Sequence, residues 1–165
     1  MPILDANTLE FFSHSPEQTR RIGMRLGALL NPGDVICLQG DLGAGKTTFV
    51  QGLAQGWGSL DAVSSPTFVI VNVYRRPDDN ELYHLDTYRL ESAPEASMLD
   101  LDDMLEAGPL VIEWPERIES ILPTERLWLT LEHIAEEKRG IQFKAQGATY
   151  EKMLEEIRQS AFGGD

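Results

Sequence analysis

The residues from Gly40 to Thr47 spell G-D-L-G-A-G-K-T, which satisfies the pattern G-x-x-x-x-G-K-[ST] without a mismatch. Glycines adopt the positive φ angles that turn successive backbone N–H groups towards a polyphosphate. In this pattern the lysine, Lys46, reaches the β- and γ-phosphates, and the hydroxyl of Thr47 holds Mg²⁺. The motif therefore predicts a site for a nucleoside triphosphate.

Two carboxylates elsewhere in the chain can complete this chemistry. Asp86 and Glu113 each end a short apolar run, and the run before Glu113 has the form of a Walker B strand. Ligands of open α/β sheets bind at the carboxyl ends of the strands, so both side chains are expected beside the phosphates unless they are merely solvated strand ends. There a carboxylate can hold Mg²⁺, directly or through water, or orient the attacking water. We predict Lys46, Asp86 and Glu113 as catalytic residues and Thr47, Glu113 and Asp86 as the metal site, without deciding which carboxylate contacts the metal.

Three further residues are weaker candidates for contact with the nucleotide. Ser15 could approach the base or ribose, although capping of a helix is the simpler interpretation. Thr67 lies where a switch segment would sense the γ-phosphate, or it simply enters a strand after Pro66. Trp114 would form a wall beside the γ-phosphate. The predicted cofactor-binding set is Ser15, Gly40, Asp41, Leu42, Gly43, Ala44, Gly45, Lys46, Thr47, Thr48, Thr67 and Trp114.

The elements that must position these residues follow from hydrophobic spacing and turn signals. Strands are predicted over 8–13, 34–39, 68–74, 82–86, 110–113, 127–132 and 141–145, with a polar turn over 136–140. Helices are predicted from Pro16, capped by Ser15 with Gln18 three residues on, and over 47–55, 94–105 and 149–160. These elements predict an α/β fold, a P-loop NTPase-like mixed sheet flanked by helices, as a single domain over 1–165.

Composition restricts the possible partners and cellular location. The 165 residues include 14 Lys and Arg against 27 Asp and Glu, a net charge of −13, and the basic residues are scattered. Direct tight binding to nucleic acid needs clustered cations and is therefore not expected. Neither a membrane span nor a secretion signal is visible, which favours a cytoplasmic protein. Cys37 is the only cysteine and is expected in the core. The acidic segment 91–106 is a solvated face, a docking surface for a basic partner or a regulatory segment over the site.

Four blocks of the chain resemble the TsaE family of bacterial ATPases. They are Gly40–Thr48, Ser65–Phe68, His84–Leu90 and Ile112–Glu116, and their order and spacing cover roughly residues 10 to 135. The phosphate loop is common to many proteins, whereas the H-x-D-x-Y-R-L block is far more specific. The resemblance implies an ATPase that uses ATP and Mg²⁺ and acts with the TsaB–TsaD complex in forming threonylcarbamoyladenosine in tRNA.

The resemblance also implies how the site would work. Hydrolysis would be weak in the isolated protein and would reset the TsaB–TsaD complex between turnovers, and tRNA would be reached only through these partners. Glu113 would join the Mg²⁺ site, Asp86 would assist hydrolysis and Thr67 would lie in a switch-like segment. His84, Tyr88 and Arg89 would shape the site or its partner surface.

A small-molecule P-loop kinase is the main alternative. Such kinases usually close a lid that carries several arginines over the transferred phosphate. After Glu113 the chain offers only Arg117 and Arg126 before Lys138 and Arg139. The sequence therefore favours an ATPase over a kinase.

Two other classes of nucleotide-binding protein are a GTPase, which the sequence supports less well, and a non-catalytic binding module, which stays open. A GTPase would carry an N-K-x-D motif, and no asparagine of this chain is followed by lysine, so ATP is preferred over GTP. A non-catalytic module, in which ATP only fixes the shape offered to a partner, stays open at this point.

Overall fold

The phosphate loop joins the central strand of a seven-stranded mixed sheet to a long helix. The computed structural model describes residues 7–41, 43–63, 71–90 and 100–162. Its strands are β1 Thr8–Ser13, β2 Val35–Gln39, β3 Val71–Arg75, β4 Glu81–Asp86, β5 Leu110–Glu113, β6 Arg126–Ala135 and β7 Lys138–Gln146. Its helices are α1 Pro16–Gly27, α2 Lys46–Trp57, α3 Leu101–Ala107 and α4 Ala148–Phe162, with 3-10 turns at Pro115–Arg117 and Glu119–Ile121.

The order of the strands brings the candidate site residues to one edge of the sheet. The order is β1-β7-β6-β2-β5-β4-β3. Strand β2 pairs in parallel with β5 and β6, and β4 pairs in parallel with β5, so the carboxyl ends of these four strands point the same way. Four of the five β2 residues are buried, as expected for a central parallel strand, and Cys37 is fully buried among them. The α/β fold with a mixed sheet flanked by helices is confirmed.

The start of α1 follows the predicted capping chemistry. The hydroxyl of Ser15 accepts a hydrogen bond from the Gln18 backbone N–H at 3.2 Å. The side chain of Gln18 accepts in return from the backbone N–H of His14 at 2.8 Å, one residue before the cap. Pro16 occupies the first helical position, where its missing N–H costs nothing. This pair of bonds fixes where β1 ends and α1 begins.

Helices α1 and α2 pack with their backbones in direct contact. Gly23 and Gly27 on α1 and Gly52 and Gly56 on α2 line this interface. A Cβ atom added at any of the four would lie 1.9 to 2.4 Å from a carbonyl oxygen of the facing helix. The close approach fixes the axis of α2, which begins at the phosphate loop, against the rest of the fold.

Two hydrophobic clusters cover the two faces of the sheet. The larger cluster joins α1, α2 and α4 to the sheet and includes Leu26, Phe49, Leu53, Phe143, Leu154 and Ile157. The smaller cluster lies under α3 and the 3-10 turns and includes Leu85, Leu110, Ile112 and Ile118. Fully burying side chains of this size contributes about 1.5–3 kcal/mol each. Packing on both faces therefore holds the carboxyl ends of the strands in fixed positions.

Two predicted boundaries were wrong. The turn predicted over 136–140 is shorter, because the antiparallel ladder of β6 and β7 continues through a bulge to Ala135 and Lys138. The helix predicted over 94–105 is not continuous, because Asp100 has φ 51° and ψ 52°, a left-handed conformation that interrupts a right-handed helix. Within the described residues the helix begins at Leu101. Residues 91–99, which include the predicted helix start and the first part of the acidic segment, lie outside the described ranges, as do the first three residues of the strand predicted over 68–74.

A membrane span requires a long helix that is apolar over most of its length. Within the described ranges, no helix combines the length and the apolar content that crossing a bilayer requires.

Candidate active site

The phosphate loop holds two glycines in the left-handed region. Gly43 has φ 82° and Gly45 has φ 100°, values that side chains with a Cβ rarely adopt. Gly45 is the residue before α2, and its carbonyl accepts from the Phe49 N–H at 2.9 Å. The loop therefore turns directly into a helix, whose first backbone N–H groups have no partner within the helix. Such a helix start attracts anions.

Lys46 is buried at the start of α2 without a hydrogen-bond partner. The residue is only 6% exposed, and Nζ finds no partner among the described residues. The atom lies 3.9 Å from the centroid of the Trp114 ring. Burial lowers the pKa of the ammonium group, while the charges of Glu113 and Asp86 oppose that shift. An unpaired buried cation is costly, so this arrangement suits a ligand that brings negative charge.

The two predicted carboxylates stand side by side at the carboxyl edge. Asp86 ends β4 and is directly opposite Glu113, which ends β5. Burial raises the pKa of Asp86, although the Tyr88 N–H, which donates to Oδ1 at 2.8 Å, opposes the shift. Both carboxylates and Lys46 line one cleft of about 300 Å³. The complete lining is Gly43, Gly45, Lys46, Thr47, Thr48, Asp86, Glu113, Trp114 and Arg139.

Two buried side chains form a chain of hydrogen bonds that ends at Glu113. Its Oε2 lies 2.6 Å from Nε2 of His84, which is fully buried. The other ring nitrogen of His84, Nδ1, lies 2.8 Å from the hydroxyl of Tyr74. A chain of hydrogen bonds therefore runs from β3 through β4 to the carboxylate on β5.

Trp114 forms a wall of the cleft in a conformation that its neighbours fix. It has φ 62° and ψ 46°, which a non-glycine residue adopts at some cost in free energy. The hydroxyl of Thr87 donates to the carbonyls of both Glu113 and Trp114. The ring of Tyr88 lies 4.8 Å from the Trp114 ring, and the Arg117 guanidinium lies over Tyr88. These contacts keep the indole above Lys46.

The other residues of the predicted cofactor-binding set do not line this cleft or lie outside the described residues. Gly40, Asp41 and Ala44 line a second cleft on the other side of the loop, together with residues of β6. Gly40 also lies so close to β6 that an added Cβ would be 2.7 Å from the Leu131 carbonyl oxygen. Ser15 acts as the cap of α1, and its predicted contact with a nucleotide stays a prediction. Leu42 and Thr67 lie outside the described residues.

Arg139 is a residue of the cleft that the sequence interpretation missed. Its stem atoms would lie 3.7–3.9 Å from a Cβ on Gly45, and its Nε is buried without a partner among the described residues. Its Nη1 donates to the carbonyls of Glu136 at 2.7 Å and Lys138 at 3.0 Å, which anchor the guanidinium to the hairpin. The only sequence signal was a basic pair in a predicted turn. The register of β7 is what brings this arginine to the phosphate loop.

The oxygen atoms at the cleft suit Mg²⁺. The Thr47 hydroxyl and the carboxylates of Asp86 and Glu113 are hard oxygen donors, the type that Mg²⁺ prefers. Among the described residues there is no group of three or more His, Cys, Asp or Glu side chains that could hold a metal by themselves. A cation held here would share its coordination with phosphates and water, as Mg²⁺ usually does.

Comparisons with known proteins point to one family. The profile described as "Threonylcarbamoyl adenosine biosynthesis protein TsaE" matches residues 13–141. A Bacillus subtilis tRNA threonylcarbamoyladenosine biosynthesis protein TsaE is 41% identical over 152 residues, which are 90% of this chain and 93% of that protein. Its Treponema pallidum counterpart is 41% identical over 130 residues, 78% of this chain and 95% of the relative. The crystal structure of Bacillus subtilis YdiB aligns with a TM-score of 0.78 at 36% identity, covering 93% of this chain and 96% of that one.

Proposed function

Since the chain belongs to the TsaE family of tRNA threonylcarbamoyladenosine biosynthesis proteins, we propose that it binds ATP with Mg²⁺ and hydrolyses the nucleotide. The observation that carries the proposal is the buried Nζ of Lys46 beside Asp86 and Glu113, which has no hydrogen-bond partner within the described part of the chain. A triphosphate supplies the negative charge that this cation lacks. ATP is proposed rather than GTP because the chain has no N-K-x-D motif.

Each residue of the cleft has a defined role in this proposal. The backbone N–H groups of the loop and the start of α2 bind the phosphates, and Lys46 neutralises the charge that develops on them. Thr47 and Glu113 would hold Mg²⁺, which would neutralise part of the negative charge on the phosphates and so favour attack by water. Asp86 orients that water and accepts its proton, a role suited to a carboxylate whose pKa burial raises. Trp114 excludes bulk water from the reacting end.

The proposed partners are TsaB and TsaD. The family name refers to the biosynthesis of a modified tRNA nucleoside. A net charge of −13 nevertheless makes direct binding to tRNA unfavourable. Contact with tRNA through a partner complex removes this conflict. We propose that hydrolysis is weak in the isolated chain and resets the TsaB–TsaD complex between turnovers.

Titration calorimetry of the purified chain with ATP and Mg²⁺ tests the binding half of the proposal. The wild-type protein is expected to bind, and Lys46→Ala to lose at least about tenfold in affinity, because hydrogen bonds to charged groups contribute about 1.5–3 kcal/mol. Lys152→Ala removes an exposed lysine on α4 and is the matched control, which should bind as wild type does. Equal binding by Lys46→Ala would show that the loop is not the nucleotide site.

A further inference from the structure

Three neighbouring strands contribute one residue each to the hydrogen-bond chain behind Glu113. In the register of the sheet His84 is opposite Val111, two residues before Glu113, and Tyr74 is opposite Leu82, two residues before His84. These diagonal neighbours lie on one face of the sheet, within reach of each other's side chains. Tyr74, His84 and Glu113 are 4%, 0% and 5% exposed, so water does not compete for their hydrogen bonds.

The chemistry of imidazole makes the direction of these bonds matter. A neutral histidine has one N–H donor and one acceptor nitrogen, and its partners decide which nitrogen carries the proton. The ionised carboxylate of Glu113 can only accept, so Nε2 of His84 must carry the proton at 2.6 Å. In the neutral imidazole Nδ1 is then an acceptor, and the hydroxyl of Tyr74 at 2.8 Å is placed to donate to it.

We propose that His84 is the positioning residue of Glu113 and that Tyr74, by donating to Nδ1, supports the tautomer in which His84 donates to this carboxylate. His84 binds Oε2 of Glu113, and this bond restrains rotation of the carboxylate. This inference rests on the proposed ATPase function only for its kinetic consequences, because the geometry itself is independent of the nucleotide.

Partners of this kind set the orientation of a site carboxylate and typically change activity by about 10–100-fold when they are removed. His84→Ala is expected to lower the rate of ATP hydrolysis in the presence of TsaB and TsaD by that factor. Its affinity for ATP should stay near the wild-type value, because Lys46 and the loop are untouched. Tyr74→Phe keeps the aromatic ring and removes only the hydroxyl, so a smaller loss of rate is expected, again without a loss of affinity.

Leu82→Ala is the matched control for stability. Leu82 is fully buried on the same strand and face as His84 but is an apolar member of the larger hydrophobic cluster. Its substitution should lower the melting temperature while leaving the rate per folded molecule unchanged. If His84→Ala and Leu82→Ala lower the rate in proportion to their loss of folded protein, His84 is merely structural and the inference is wrong.

Nitrogen NMR of the wild-type imidazole groups tests the tautomer without any turnover. For His84 we expect a protonated Nε2 and an unprotonated Nδ1, and for Tyr74→Phe a shift of the proton population towards Nδ1. A protonated Nδ1 in the wild-type protein would overturn the assignment of Tyr74. Absence of ATP hydrolysis in the wild-type protein would instead defeat the proposed function, and the NMR result would still decide the geometry behind Glu113.

Discussion

Lys46, Asp86 and Glu113 meet in one cleft in different states of pairing. The ring of Trp114, rather than an anion, lies against Nζ of Lys46, whereas Glu113 is buried with a bond to His84 and Asp86 is half-buried with a bond from the Tyr88 N–H. In the proposed function, phosphates and a cation that enter the cleft compensate the charges of these groups. The site is therefore expected to be less stable without nucleotide than with it.

Asp86→Asn tests this cost through the pH dependence of stability. Burial raises the pKa of Asp86 in the folded protein above its usual 3.8. At pH values between 3.8 and this raised pKa, the folded protein therefore binds more protons than the unfolded chain. The contribution of this group to stability is therefore complete below pH 3.8 and lost as pH rises through the folded pKa. Without nucleotide and metal, Asp86→Asn should unfold at higher urea concentration than wild type near neutral pH, and the difference should shrink as pH falls.

The control for this measurement is Asp103→Asn, which changes an exposed carboxylate on α3. It should show no comparable gain at neutral pH. A lower stability of Asp86→Asn than of wild type at neutral pH would mean that the ionised carboxylate stabilises the nucleotide-free fold, the opposite of the expected effect.

Arg139 provides a second test at the scale of single residues. Its guanidinium lines the cleft next to Gly45 and its Nε has no partner among the described residues, so we expect it to contact the phosphates or ribose of the nucleotide. Arg139→Ala should weaken ATP binding by about tenfold or more, as loss of a charged hydrogen bond predicts. Lys138→Ala, an exposed neighbour on β7, is the control and should bind normally in the same calorimetric titration. Unchanged affinity in Arg139→Ala would remove this residue from the site.

At the scale of elements, the interface between α1 and α2 fixes the direction of the helix that carries Lys46. Four glycines at this interface let the two backbones touch, and any side chain there would collide with backbone rather than with a movable group. Because Lys46 and Thr47 are the first residues of α2, a shift of this helix displaces them from the carboxyl edge of the sheet. Packing far from the cleft is thus expected to influence nucleotide affinity.

Gly52→Ala tests this packing. Alanine favours a helix over glycine by about 1 kcal/mol, but its Cβ would lie 2.0 Å from the Arg20 carbonyl oxygen. Overpacking of this kind typically costs about 1–3 kcal/mol, so we expect a lower free energy of unfolding and weaker ATP binding. Gln55→Ala on the exposed face of α2 has no such collision and should be neutral or slightly stabilising in the same urea titrations. A more stable Gly52→Ala would show that the helices are not held at this distance.

The sequence predicted best the elements that combine clear apolar spacing with distinct ends. Strands β1 and β5 and helix α4 were predicted within one or two residues because each combines clear apolar spacing with a distinct start or end. The interruption at Asp100 could not be foreseen, since an unbroken helical pattern gives no sign of a left-handed residue. Lys46, Asp86 and Glu113 were predicted from their positions in strands and loop, whereas Arg139 and the bond between His84 and Glu113 depend on register, which no local pattern encodes.

At the scale of the whole molecule, the sheet gathers separate stretches of an acidic chain around one cleft, in which two basic side chains, Lys46 and Arg139, lie beside two carboxylates. The loop after β2, the ends of β4 and β5 and the start of β7 all reach one cleft, although they are distant in sequence. Outside that cleft the net charge of −13 repels polyanions. This charge distribution agrees with the proposal that the molecule binds a nucleotide in the cleft and reaches tRNA only through partner proteins.

Phosphate release by the purified chain, with and without TsaB and TsaD, tests the proposed ATPase function most directly. We predict slow hydrolysis of ATP by the chain alone and a clear increase when both partners are added. Glu113→Ala should still bind ATP and show no increase, because it keeps the phosphate loop and loses the Walker B carboxylate. Wild-type hydrolysis that the two partners leave unchanged, or normal hydrolysis by Glu113→Ala, would contradict the proposed function.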